Sequence, residues 1–256
     1  MTKVNLRHDS SSPSKSTPSP KHPTSQNPQG ESRRQAQTTM GRLWRDNGLS
    51  VVLAILFLLS FGGQTFSGWF HHNEELQEHQ QAPSGLLEYL RSGAFGEAVF
   101  ENWESEFLQM GLYVLLTSFL FQRGSAESND PDGSDEHESA SCDPEHAPLA
   151  ARKGGLVSKI YNHSLSIAFA ALFALSFAGH ALWGARAYNV EATQHGESAL
   201  SVWQYLETSQ FWFESFQNWQ SEFLAIFAIV VLSIWLREKG SPESKPVAAP
   251  HSKTGA

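Results

Sequence analysis

The sequence predicts an all-helical membrane protein with four transmembrane helices, arranged as two helical hairpins that share one orientation. Three observations support this prediction. Four apolar blocks interrupt a polar chain of 256 residues, whose mean hydropathy is −0.33. Tryptophans flank these blocks, as is typical of the membrane interface. The chain also repeats itself at a spacing of 116 residues, so the architecture of one half predicts that of the other.

Three polar segments surround the two hairpins. Residues 1–39 are rich in Ser, Pro and Thr, and a segment of this composition cannot bury enough surface to offset its chain entropy. They are therefore predicted to form a disordered cytoplasmic tail. Residues 124–155 are predicted to form an acidic cytoplasmic linker, and residues 240–256 a second disordered tail. The single Cys142 lies in the linker, and a lone cysteine excludes an internal disulfide framework and a multi-cysteine metal site.

The first hairpin is predicted over residues 40–123. Its first apolar block, 49–70, contains no charged side chain in 22 residues, and at about 1.5 Å per residue it is long enough for a hydrocarbon core of about 30 Å. The second block, 107–121, covers only about 23 Å. Either the bilayer thins around it, or the helix begins earlier, among the polar residues that precede Phe107.

The second hairpin is predicted over residues 156–239 and has the same pattern. The block 165–185 is uncharged and long enough to span, whereas the block 223–236 is short. Basic residues lie before the first block, between the second and third, and after the fourth, but the loops 71–101 and 186–217 carry only Arg91 and Arg186. The positive-inside rule then places both termini in the cytoplasm and both loops outside a cell membrane.

The internal repeat covers both hairpins. Residues 47–125 align without a gap on residues 163–241, and 28 of the 79 positions are identical, which is far beyond chance. The motif Asn-Trp-x-Ser-Glu-Phe begins at Asn102 and again at Asn218. Each unit has two spans, so both copies enter the membrane in the same direction. This predicts a pseudo-two-fold axis along the membrane normal.

Several strings of the chain resemble a known family. They are 44–50 (WRDNGLS), 73–75 (NEE), 88–93 (EYLRSG), 100–109 (FENWESEFLQ) and 123–128 (RGSAES). These strings are similar to those of an uncharacterised family of bacterial integral membrane proteins, known only as a domain of unknown function. The resemblance covers both repeats and excludes residues 1–39. It implies a bacterial cell membrane and supplies no activity, cofactor or catalytic residue.

The motif supplies the main candidate site residues, Glu106 and Glu222. Ionisable residues at membrane depth are costly and by default indicate a polar pathway or a bound cation. The alternative is structural: near a helix N-terminus a carboxylate is stabilised by the helix dipole, and Asn102 and Asn218 are candidate caps of the same helices.

A second feature adds two residues to this candidate polar site. His180 aligns with Gln64 near the outer ends of the third and first spans, where polar side chains form hydrogen bonds between helices. The sequence-based candidate site is the following set: Glu106, Glu222, Asn102, Asn218, Gln64 and His180.

The external loops hold a further constellation. Glu75 and His79 are spaced i, i+4, and so are Glu191 and His195. On a helix this spacing puts both side chains on one face, as a metal site requires. Two ligands are few for a metal, and a hydrogen bond on the helix surface is the commoner meaning of this spacing.

No phosphate-binding loop, dinucleotide fingerprint, nucleophile elbow or HExxH motif occurs, so the sequence predicts neither an enzyme nor a cofactor. The net charge of −8 argues against nucleic acid as a partner. The leading hypothesis is a non-enzymatic membrane or envelope component that acts through its external loops, in contact with the lipid bilayer and with a protein partner or a second copy. The alternative is a small transporter or channel that uses Glu106 and Glu222, and a weaker alternative is external metal binding.

Overall fold

The computed structural model describes residues 39–133 and 147–255, and all regular secondary structure within these ranges is helical. The predictions for residues 1–38 and for Cys142 lie outside the described residues. The helices of the described ranges are α1 (Thr39–Glu78), α2 (Leu86–Tyr89), α3 (Gly93–Thr117), α4 (Leu149–Arg152), α5 (Gly155–Asn162), α6 (Ser164–Gln194), α7 (Val202–Tyr205) and α8 (Ser209–Leu232).

The chain divides into two compact units, Met1–Ser60 and Phe61–Ala256. The described part of the first unit is the N-terminal portion of α1, which bends at Asn47, where the backbone leaves the helical region (φ −135°, ψ 19°). Apolar side chains of this portion, such as Leu53 and Leu56, are more than half exposed. The second unit contains the remaining helices and the whole of the candidate site.

Two of the described helices are long and apolar enough to cross a membrane, over Trp44–Glu78 and Ser164–Gln194. Only 6% and 22% of their most apolar windows are buried within the chain, whereas the core helix of a soluble protein is mostly buried. Apolar helix surface exposed on this scale marks contact with lipid or with another protein. The helices α3 and α8, which contain the second and fourth predicted spans, do not meet the same criterion of length and hydropathy.

Helix bounds recur at the 116-residue spacing of the sequence repeat. The helices α2 and α7 correspond at both ends, and α3 and α8 begin at equivalent residues. Their caps are equivalent as well, because the Ser92 hydroxyl accepts from Phe95 N and the Thr208 hydroxyl accepts from Phe211 N. The repeated sequence therefore specifies the same helix starts twice.

The ends of α1 and α6 are also built alike. Each helix closes with a hydrogen bond that runs back five residues, from Gln81 N to Leu76 O and from Glu197 N to Ala192 O. The residue that precedes the donor of this bond needs a positive φ. This angle is 72° at Gly196 and 55° at its counterpart, Gln80. Glycine adopts this conformation without strain, whereas glutamine does so at a cost.

An asparagine side chain holds the loop that follows each of these helices. Asn73 accepts from Ser84 N and donates to Ser84 O, at 2.7 and 3.2 Å. Asn189 makes the same pair of bonds with Leu200, at 2.7 and 2.8 Å. These bonds fold each loop back over the end of its own helix.

The helices α3 and α6 run antiparallel and touch at glycines. Gly93 and Gly96 of α3 lie against Ala187 and Trp183 of α6, and Gly179 of α6 lies against an aromatic ring of α3. A Cβ atom on any of these glycines would come within 2.3–2.5 Å of the facing helix. Small residues at such contacts allow helices to approach closely in a membrane.

The helix α8 lies beside α3 in the same direction. Glu101 and Glu104 of α3 bond with Asn218 and Trp219 of α8, and further along both helices Gln109 Nε2 donates to a carbonyl of α8. Aromatic rings of α6 and α8 also stack on each other, as in the edge-to-face pair at 5.3 Å between Phe177 and Phe211. The side chains of α3, α6 and α8 therefore meet in one core.

The structure shows where the helices with the short blocks begin, as one of the two sequence-based alternatives expects, and what the C-terminal segment forms. The short second and fourth blocks belong to helices that begin at Gly93 and Ser209, well inside the preceding polar segments, and end at Thr117 and Leu232. The residues 240–255, predicted to be disordered, form successive turns that pack on the ends of α3 and α8. The physical reason is the buried Lys245, whose ammonium binds several carbonyl groups in the interior of these turns.

We expect the Gly96→Ala variant to lose stability, because its new methyl group would lie 2.3 Å from the Trp183 ring. Overpacking of this kind costs about 1–3 kcal/mol. The matched control is Gly63→Ala, since Gly63 is also inside a helix and a Cβ atom added there would meet no described atom within 4 Å. Alanine favours a helix over glycine by up to about 1 kcal/mol, so this control should melt at or above the wild-type Tm. Circular dichroism melts in detergent micelles measure both, and a G96A variant as stable as G63A would contradict the close contact.

Candidate functional site

The centre of the candidate site is His180, which lies on α6 and has no exposed surface. Its Nδ1 atom is 2.8 Å from Oε2 of Glu104, and its Nε2 atom is 3.3 Å from Oε2 of Glu214. The imidazole ring also stacks on Phe211, with 4.6 Å between ring centroids. One histidine therefore bridges carboxyl groups from α3 and α8.

Glu104 is also fully buried. Its second oxygen, Oε1, accepts a hydrogen bond from the indole nitrogen of Trp219 at 3.0 Å. A buried carboxylate is tolerated only when its oxygens have partners, and both oxygens of Glu104 have one. One turn earlier on α3, Glu101 accepts a hydrogen bond from the Asn218 amide of α8.

Tyr205 extends this line of hydrogen bonds toward the N-terminal ends of α3 and α8. Its hydroxyl oxygen is 2.9 Å from Oε2 of Glu214 and 3.2 Å from Oε1 of Glu97. The ring is fully buried and lies on Gly184, where an added Cβ would be 2.7 Å from it. Position 184 must therefore be glycine for the tyrosine to reach both carboxyl groups.

The number of hydrogen bonds determines the number of protons in this cluster. Four contacts join Glu104, His180, Glu214, Tyr205 and Glu97 in sequence, and each contact needs one proton. A neutral histidine and a tyrosine hydroxyl supply one proton each. The other two protons must be carried either by two carboxyl groups or by one carboxyl group and a second N–H of the imidazole. Glu97 is the last member of this line of hydrogen bonds. If the Tyr205 hydroxyl donates to Glu214, Glu97 must carry a proton and donate it to the Tyr205 oxygen.

Glu97 also lines a cavity of about 460 Å³ between the ends of both hairpins. Other polar groups of the wall are His79, Glu191, His195 and Gln210. Since Gln210 bonds Glu214 and Glu97 bonds Tyr205, the buried cluster communicates directly with this cavity.

The structure brings one of the six sequence-predicted site residues, His180, into the cluster. The Asn218 amide lies beside the cluster and donates to the Glu101 carboxyl group and to the Glu214 carbonyl. The Gln64 amide lies 3.4 Å from the Ala98 carbonyl of α3, which joins α1 to α3 outside the cluster. The Asn102 amide donates to the same Ala98 carbonyl, which lies four residues earlier in α3.

Glu106 and Glu222 lie more than three helical turns inside α3 and α8. Glu106 is exposed and Glu222 is half-buried, and they are near enough for their like charges to interact. The proposed caps Asn102 and Asn218 are wrong, because Ser92 and Thr208 cap these helices. A dipole at the helix terminus therefore does not explain the two glutamates.

The pairs Glu75–His79 and Glu191–His195 line the cavity. His79 Nδ1 lies 2.9 Å from the Glu75 backbone carbonyl, and the Glu75 carboxylate faces His71 Nε2 at 3.3 Å. Within residues 39–133 and 147–255, no group of three His, Cys, Asp or Glu side chains is placed to hold one metal ion. The His79 imidazole therefore bonds the backbone of Glu75, and the Glu75 carboxylate pairs with His71 and His72.

The sequence-based reasoning missed Glu97, Glu104, Tyr205 and Glu214. A signal was present in the repeat itself, because the cluster residues are charged in one copy and neutral in the other. The pairs, each 116 residues apart, are Gln64 and His180, Ala98 and Glu214, Glu97 and Phe213, and Glu104 and Gln220. The two halves therefore differ where the cluster forms.

Comparison with known proteins identifies a family. The model of the family described as Domain of unknown function (DUF6766) matches residues 40–256. The chain belongs to this family. No curated protein and no solved structure matches the chain.

The DUF6766 match includes every residue of the cluster, from Glu97 to Glu214, and continues through the C-terminal turns to residue 256. It begins at residue 40, immediately after the polar N-terminal segment. The cluster and the turns are therefore both parts of the family domain.

Proposed function

We propose that this chain is a non-enzymatic, four-span membrane protein that moves protons across a membrane through the buried cluster of Glu97, Tyr205, Glu214, His180 and Glu104. The observation that carries the proposal is the unbroken line of hydrogen bonds from the cavity to Glu104, which requires two protons beyond those of neutral His and Tyr. Ionisable groups at membrane depth are expensive and are retained for proton or ion pathways.

A row of polar side chains supports a route along the rest of α3. Glu97, Glu101, Ser105, Gln109 and Tyr113 follow each other at intervals of four residues, so they lie along one gently winding ridge of the helix. All five are buried or half-buried. The equivalent row of α8 contains phenylalanine, alanine and isoleucine at three of these five positions.

The C-terminal end of this row reaches another acidic side chain, that of Glu127. The Tyr113 hydroxyl donates to Oε2 of Glu127, which belongs to the turn after α3. The other oxygen of Glu127 is buried and has no hydrogen-bond donor among the described residues. A buried carboxylate oxygen without a donor is a place where a proton is stabilised.

The proposal keeps the topology that the sequence predicts. The uncharged faces of α1 and α6 contact lipid, the apolar second halves of α3 and α8 complete two further spans, and the two hairpins are related by a pseudo-two-fold axis along the membrane normal. Basic residues then lie on the cytoplasmic side, and the cavity with the loops 71–101 and 186–217 lies outside.

This function belongs to the transporter or channel class that the sequence offers as an alternative, but it uses different carboxyl groups. Glu106 is exposed at the helix surface, whereas Glu104, two residues earlier, is buried against His180. A component that acts only through its external loops does not need a buried, hydrogen-bonded proton chain. The geometry therefore favours proton transfer over a purely structural role.

Proton flux into proteoliposomes tests the proposal. The purified protein is reconstituted with an internal pH-sensitive dye, a pH gradient is imposed, and potassium with valinomycin holds the membrane potential constant. Wild-type vesicles should acidify faster than protein-free vesicles. Glu104→Gln and His180→Gln should slow acidification by about tenfold or more, because each removes a group that relays the proton.

The matched control for this experiment is Glu106→Gln, which changes an exposed carboxylate on the same helix and should keep the wild-type rate. Circular dichroism and gel filtration confirm that each variant is folded. Wild-type vesicles that acidify no faster than empty ones, or E106Q and E104Q variants that slow the flux equally, would overturn the proposal.

Thiol labelling tests the orientation. The structure favours Ala82→Cys and Ser198→Cys as probes, since both positions are exposed and are equivalent in the repeat, whereas Ser84 is buried by Asn73. In intact cells, a membrane-impermeant maleimide should label both introduced cysteines. Native Cys142 should react only after lysis, and labelling of Cys142 in intact cells would invert the topology.

A further inference from the structure

A second buried charge, that of Lys245, lies outside the buried cluster of Glu97, Tyr205, Glu214, His180 and Glu104, which we call the Glu–His–Tyr cluster. The side chain of Lys245 is only 1% exposed, although it belongs to a polar segment after the last helix. Lysine is almost never fully buried unless its ammonium is paired. The groups around this ammonium therefore explain why the segment is ordered.

Four backbone carbonyl oxygens surround the ammonium, and we name them the carbonyl cage: those of Gly124, Ile234, His251 and Lys253. The distances from Nζ are 3.3 Å to Ile234, 3.0 Å to His251 and 2.9 Å to Lys253, and Nζ also donates to Gly124. The charged groups that act on Lys245 are Arg237 and Lys253, both cationic. The charge is therefore stabilised by carbonyl dipoles and not by an acidic partner among the described residues.

A ring of carbonyl oxygens is the coordination that replaces the hydration shell of a potassium ion in selective channels. Ammonium has a similar size and binds oxygens at similar distances, with N–H groups in place of an ionic contact. The carbonyl cage of this protein therefore has the chemistry of a monovalent-cation site.

Other hydrogen bonds assemble the cage independently of Lys245. Gly124 N donates to the Thr254 hydroxyl, and Gly255 N donates to Ser125 O, each at 2.9 Å. The His251 imidazole bonds Ile234 O at 3.1 Å. These bonds join the turn after α3 to the C-terminal turns and to the end of α8, so they act together with the ammonium to hold the four oxygens near one another.

We infer that the carbonyl cage is a binding site for a monovalent cation of the ammonium or potassium class, and that Lys245 supplies the bound cation from the chain itself. The bound ammonium fastens the C-terminal turns to the ends of α3 and α8. This inference does not depend on proton transport, because none of the cage residues belongs to the Glu–His–Tyr cluster.

Chemical rescue of the Lys245→Ala variant tests the inference. In sodium chloride, K245A should melt about 5 °C or more below wild type, because four carbonyl groups lose their donor. Ammonium chloride or potassium chloride at the same ionic strength should recover about half of this loss. Lithium and choline chloride should recover none, since lithium is too small for the ring and choline is too large. The same salts should leave the Tm of wild type unchanged, because its cage is already occupied.

Lys239→Ala is the matched control, since Lys239 is exposed in the same C-terminal segment, and it should melt like wild type in every salt. A K245A variant that melts like wild type, or that responds equally to all the salts, would overturn the inference. A measurement on wild type covers the case in which K245A does not fold. Acetic anhydride should modify the exposed amines of Lys239 and Lys253 at least about tenfold faster than Lys245, as read by mass spectrometry, because a buried amine must first open. Equal rates would also overturn the inference.

Discussion

The close contact between α3 and α6 is the constraint on which the rest of the structure depends. Glycines at this contact bring the two backbones together, and the approach places Glu104 within hydrogen-bonding distance of His180. The same device recurs at Gly184, where the absence of a side chain admits Tyr205. Glycine is a poor helix former, so each of these positions costs helix stability in exchange for a short interhelical distance. The polar cluster is thus a product of packing, because without the small residues its donors and acceptors would not meet.

The two halves of the chain share their frame and differ in their chemistry. Helix starts, caps and loop hydrogen bonds recur at a spacing of 116 residues, and both copies place a tyrosine on a glycine, as Tyr89 does on Gly68. In the first half that tyrosine faces an imidazole, His72, at the helix surface. In the second half the equivalent Tyr205 faces two carboxyl groups. A duplicated frame of this kind allows each copy to acquire buried charged groups at positions where the other copy is neutral: Glu97 and Glu104 lie in the first half, and His180 and Glu214 lie in the second.

Much of the frame could be predicted from the sequence, because helix and repeat signals are local. The helical class follows from composition and periodicity, and the repeat indicates His180 as a polar position, which the structure buries between two carboxyl groups. The partners of His180 could not be found in this way, since Glu104 and Glu214 are 76 and 34 residues away from it and meet it only through tertiary packing. Glu106 was favoured because a glutamate occurs at this position in both copies of the motif. Its side chain is exposed, and the buried carboxyl group belongs to Glu104, two residues earlier. The packed C-terminal turns were missed for a similar reason, because a polar composition does not reveal that carbonyl groups will surround one lysine.

The position of His180 along α6 has an electrical consequence. On the proposed topology, the uncharged segment 165–185 lies in the hydrocarbon, so His180 is five residues, or about 8 Å, below its outer edge. This is roughly a quarter of a hydrocarbon core of about 30 Å. A proton that reaches the imidazole from outside therefore crosses about a quarter of the membrane field, which is worth about 0.6 kcal/mol per 100 mV. On this proposed topology, the occupancy of the buried cluster would be coupled to membrane voltage as well as to external pH, and a membrane with a negative interior would draw protons into it.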